Sequence, residues 1–86
     1  MPVEREIFDR VKYKQSLILR FLYEHRDQAF NTQEIDEALK MDRLQVHITG
    51  DMDALVKERL VESEVINHII YYAIAQRGVD VIEERA

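Results

Sequence analysis

The stretch that decides the fold runs from Phe30 to Gly78. It opens with Phe30-Asn31-Thr32-Gln33-Glu34-Ile35-Asp36-Glu37-Ala38-Leu39 and a short break at Met41-Asp42-Arg43. A second apolar series in helical period then runs from Val46 to Leu60. Last comes Val61-Glu62-Ser63-Glu64-Val65-Ile66-Asn67-His68-Ile69-Ile70-Tyr71-Tyr72-Ala73-Ile74, closed by Ala75-Gln76-Arg77-Gly78. Asn31 followed three residues later by Glu34 is an asparagine-led capping box, so a helix is expected over residues 31–40, with Ile35, Ala38 and Leu39 facing inward. Leu44 is expected to open a second helix over 44–59, with Ile48, Met52 and Leu55 inward. Its outward face would then hold Gln45, His47, Thr49, Gly50, Asp51 and Asp53.

Beyond that helix, Val61, Ser63 and Val65 alternate with Glu62 and Glu64, which is the period of a strand. Asn67-His68 is the expected tip of a hairpin over 61–74, because asparagine tolerates the left-handed backbone of a two-residue turn. Val79 and Ile82 mark a final helix over 76–85. Upstream, no glycine or proline after position 2 interrupts residues 1–26, so one long first helix is expected, with Ile7, Val11, Ile18 and Leu22 in a stripe. The run Leu17-Ile18-Leu19-Arg20-Phe21-Leu22-Tyr23 carries a single charge. A helix that apolar must be covered on more than one face, by the last helix or by a second subunit.

Composition narrows the chemistry. Eighty-six residues with 47% apolar side chains, two glycines and one proline form a single domain over 1–86 with one core. The absence of cysteine removes disulfides, thiolate metal sites and thiol nucleophiles, and suits a cytoplasmic location. Val65 to Ala75 is too short and too interrupted to span a bilayer, so no membrane partner is expected. Ser16 and Ser63 lie in neither a nucleophile elbow nor a phosphate loop. His25, His47 and His68 have no partner at i, i+4. No catalytic residue, metal ligand or cofactor is therefore nominated, and the chain does not read as an enzyme.

The net charge of −5 is unevenly spread. Residues 1–26 hold six bases and four acids, whereas residues 27–86 hold six bases and thirteen acids.

The order of capped short helix, turn, longer helix and tight hairpin resembles the winged helix-turn-helix superfamily of small prokaryotic or archaeal transcriptional regulators. The resemblance covers about residues 14–86. It implies an α+β, mostly helical fold, with a three-helix core, a two-stranded wing and a closing C-terminal helix. It also implies a cytoplasmic regulator of transcription that binds double-stranded DNA as a homodimer. Arg43, Gln45, His47 and Thr49 stand where base-reading side chains usually do. Leu55-Val56-Lys57-Glu58-Arg59-Leu60-Val61 matches the family's helix ending, with Arg59 where relatives often place glycine.

Two features pull the other way. Asp51 and Asp53 would lie near phosphates. The hairpin carries no lysine or arginine, where a wing that grips the backbone normally has one or two. Asn67, His68, Ile69 and Tyr71 instead suggest an alternative, a protein-interaction module that docks a partner through an apolar wing with little direct DNA binding.

Overall fold

The computed structural model describes residues 2–44 and 46–85, the side chain of Arg85 apart. In chain order it contains α1 (Arg5–Lys12), α2 (Lys14–Glu24), α3 (Thr32–Leu39), a 3-10 turn (Asp42–Leu44), α4 (Thr49–Lys57), β1 (Val61–Ile66), β2 (Ile69–Ile74) and α5 (Gln76–Arg85). The architecture is α+β: among the described residues, five α-helices and one antiparallel hairpin.

Local chemistry explains most of these boundaries. Asn31 Oδ1 accepts from the Glu34 amide at 2.8 Å, while Glu34 Oε1 accepts from the Asn31 amide at 3.0 Å. Both halves of the capping box thus form, and α3 starts where expected. It ends at Lys40, whose φ of 59° is left-handed. There the Met41 amide reaches back to the Asp36 carbonyl at 2.9 Å, which closes the helix in a Schellman arrangement. Arg59 does the same for α4, with φ 64° and the Leu60 amide bonded to the Leu55 carbonyl at 3.0 Å. An arginine here takes the conformation glycine adopts most cheaply.

Two expected boundaries change. The first helix is divided, because Tyr13 leaves the helical region at φ −106°, ψ 18°. α2 is held by its core residues Ile18, Leu19 and Leu22, whereas α1 buries none. What fastens α1 is instead Arg10, whose Nη1 donates to the Leu39 carbonyl at the end of α3 at 2.7 Å. The two halves answer to different anchors, and the chain turns between them.

The helix expected from Leu44 begins at Thr49 and spans Thr49–Lys57 rather than 44–59. The amides of Leu44 and Val46 both bond the Met41 carbonyl, at 3.0 and 3.2 Å, which winds the chain into a tight turn. Met41 and Ile48 are buried on either side of that turn. Val46, Ile48 and Thr49 are β-branched, so burying Ile48 in a non-helical segment costs little helix propensity.

The core gathers around α2. Ile18 and Leu22 are fully buried with Ile35 of α3, Met52 and Leu55 of α4, Val61, Tyr72 and Ile74 of the hairpin, and Ile82 of α5. Each such side chain contributes about 1.5–3 kcal/mol of transfer free energy. α5 supplies the second cover that α2 requires, and the Tyr23 hydroxyl donates to Glu83 Oε2 at 3.0 Å across that contact.

β1 and β2 pair from Val61–Ile74 to Ile66–Ile69. Asn67 and His68, at φ 52° and 69°, form the two-residue tip with both central residues left-handed. Phe30 adds a one-residue third strand by bonding Tyr72 in both directions, at 2.8 and 2.7 Å. At the other end Gly78 is pressed against the Leu60 carbonyl and the Ile74 side chain, leaving no room for a Cβ.

Candidate functional site

The residues nominated for DNA contact do not share a helix face. Arg43 lies in the 3-10 turn, His47 in the non-helical segment before α4, and Thr49 is the first residue of α4. All three are exposed, and Gln45 lies outside the described residues. His47 sits near enough to Asp36 to favour its ionised form. Burial outweighs that effect, and with nearby Asp42 it raises the Asp36 carboxyl above its ordinary range. Asp36 Oδ1 is buried and has no hydrogen-bond partner among the described residues.

Asp51 overturns its expected place on the outward face. It is buried, with Oδ2 3.0 Å from Lys14 Nζ and Oδ1 accepting from Gln15 Nε2 at 3.0 Å. It therefore ties the start of α4 to the start of α2. Asp53 remains exposed, though its charge reaches Tyr72, where it adds to burial in raising the phenol. The exposed face of α4 then holds Thr49, Gly50, Asp53 and Lys57, with no excess of positive charge.

The hairpin residues are brought together more fully. Register places Val65 opposite Ile70 and Ile66 opposite Ile69, just behind the Asn67-His68 turn. All four apolar side chains are exposed, from 44% at Ile69 to 62% at Val65. Successive side chains alternate across the sheet, so Val65 and Ile70 prolong the core-facing side and Ile66 and Ile69 the other. The tip is apolar on both faces. Tyr71 is half-buried on the outer face, opposite Glu64.

A shallow groove borders each side. One, of about 340 Å³, runs between Asn31, Thr32 and Gln33 of the α3 entry, Thr49, and Ile69-Ile70. The other, of about 320 Å³, is lined by Ala29, Glu62, Glu64, Ile66, Tyr71 and Ala73. The first offers neutral amides and hydroxyls over an apolar floor, and the second sets two carboxylates beside apolar surface. Neither is lined by a lysine or arginine that could hold a phosphate. Among the described residues no three His, Asp or Glu side chains gather as metal ligands, and no helix is long and apolar enough to cross a membrane.

Sequence reasoning missed Val65, whereas Ile66 and Ile69 or Ile70 were already legible as exposed. The signal was the length of the strands: six residues outrun a core that ends near Tyr72. It also missed the exposed face of α1, where Phe8 and Val11 stay uncovered. No protein-family model, no curated protein and no solved structure matches the chain.

Proposed function

We propose that this chain is a winged helix-turn-helix type domain that works as a protein-docking module, with the hairpin as its wing. The observation that carries this reading is the tip itself: four exposed aliphatic side chains, no lysine or arginine from Val61 to Ile74, and Glu62 and Glu64 on the outer face. Such a surface repels phosphate and rewards an apolar segment flanked by lysine or arginine. Helix order, the capped α3 and the short bridge at Phe30 support the winged-helix assignment.

A second reading, a cytoplasmic dimeric regulator that contacts DNA through Arg43, His47 and Thr49, is favoured by the pairing of Asp51. That contact removes one of the two acids from the surface a major groove would meet.

Amide chemical-shift mapping separates the two. Short basic, apolar peptides should perturb Val65 to Tyr71 and Thr49, and Ile69→Glu should remove the effect. Random-sequence duplex DNA at about 50 and 200 mM salt should leave the spectrum unchanged. Salt-sensitive shifts centred on Arg43 and His47, abolished by Arg43→Ala with His47→Ala, would establish the DNA reading instead.

A further inference from the structure

We infer that α1 pairs with α1 of a second copy of this chain, antiparallel, about a two-fold axis at Phe8. α1 buries no residue in its own chain, and Phe8, Val11 and the following Tyr13 are 48%, 41% and 49% exposed. Ile7, Phe8 and Val11 fall within one arc of about 100° at 100° per residue. That arc is an apolar stripe with no buried residue: Ile7 is half-buried, and the Arg5 guanidinium lies over the Phe8 ring at 5.3 Å.

The charges around the stripe name its occupant. Arg5 pairs with Asp9 at 3.1 Å and Arg10 with Glu6 at 3.8 Å, both within the helix. Glu4 and Lys12 are exposed and have no ion pair among the described residues, the Lys12 ammonium lying only over the neighbouring Tyr13 ring at 5.2 Å. They stand four residues before and four after Phe8. In an antiparallel pair centred on Phe8, Glu4 of each copy faces Lys12 of the other, twice by symmetry. A parallel pair would set Glu4 against Glu4 and Lys12 against Lys12. Opposed helix dipoles favour the same orientation. A self-complementary surface of this kind fits a second copy better than an unrelated protein. The inference is independent of docking at the hairpin, which lies on other elements.

The test uses the full chain, whose lack of cysteine leaves introduced thiols unambiguous. Light scattering across a concentration series should show twice the chain mass, and Phe8→Glu should give a monomer. Because α1 holds no core residue, that variant should keep its circular-dichroism spectrum and its peptide shifts at the hairpin, while the wild-type melt alone should rise with concentration. Under mild oxidation Phe8→Cys should trap a covalent dimer. Glu4→Cys should not, since its two copies lie about 12 Å apart along the pair. Glu4→Lys should weaken dimerisation by about tenfold, and adding Lys12→Glu should restore it. A wild-type monomer at all concentrations, efficient trapping by Glu4→Cys, or failure of the double charge reversal to restore the dimer would each overturn the inference.

Discussion

Ile18 and Ile70 are the same residue, each inside an apolar run, yet Ile18 is fully buried in α2 while Ile70 keeps 48% of its surface near the hairpin tip. The contrast extends to the whole molecule. One region, α2 with the facing sides of α3, α4, α5 and the base of the hairpin, covers its own apolar surface. The other, α1 together with the hairpin tip, carries apolar side chains of the same kind and leaves them in solvent. Hydrophobicity alone does not separate them. What separates them is whether a second element is laid over the apolar side: α1 is tied to α3 through Arg10 yet leaves Phe8 and Val11 uncovered, and the tip runs past the core.

The sharpest way to break this comparison is to truncate matched residues. Ile18→Ala should cost about 2–5 kcal/mol, the transfer term plus a cavity that close packing cannot refill. Ile70→Ala should change stability by less than about 0.5 kcal/mol, as for other exposed positions. Urea denaturation of both variants decides it, and equal losses would mean that the tip belongs to the core after all.

A smaller effect tests how the covered region is fastened. Asp51→Ala strips Lys14 and Gln15 of their acceptor in a site where Asp51 and Lys14 side chains are only 10% and 26% exposed. A loss of about 1–3 kcal/mol is expected, because one charge stays behind half-buried without its partner. Lys57→Ala on the exposed face of the same helix should be near neutral.

The smallest expected effect concerns Asp36. Its carboxyl is raised by burial and then by Asp42, so the folded state holds this proton more tightly than the unfolded chain does. Ionising Asp36 therefore takes stability away as pH rises through the carboxylate range. Asp36→Asn should be more stable than the wild type at pH 7, by less than about 1 kcal/mol. The gap should close as acid protonates Asp36 in both states. A gap that widens in acid would reverse the assignment.

Much of the fold was legible because local chemistry and global packing agree there. Asn31 and Glu34 announced the start of α3, Asn67-His68 marked the turn, and Val79 with Ile82 marked the inward side of α5. The start of α4 was not legible. The helical spacing of Leu44, Ile48, Met52 and Leu55 is equally satisfied when a turn wound on the Met41 carbonyl buries Ile48 and half-buries Leu44. The division at Tyr13 was hidden for a related reason, since only the long-range bond from Arg10 to Leu39 reveals that α1 has its own anchor. Of the candidate site, the absence of cations from the hairpin was plain in the sequence. Asp51 was misplaced, because a charged residue reads as solvated until Lys14 and Gln15, some 36 positions away, are brought to it.

Seen mechanically, the bond between Phe30 and Tyr72 makes the hairpin a beam clamped partway along its length. From Tyr72 to Ile69 the free end extends roughly 10 Å, at about 3.3 Å per residue, with one turn at its end and no further strut. A load placed on such an end bends it, so any partner that takes hold there must also still that bending, at an entropic cost. The stiffest grip is one that spans the clamp, touching the aliphatic tip and Thr49 together.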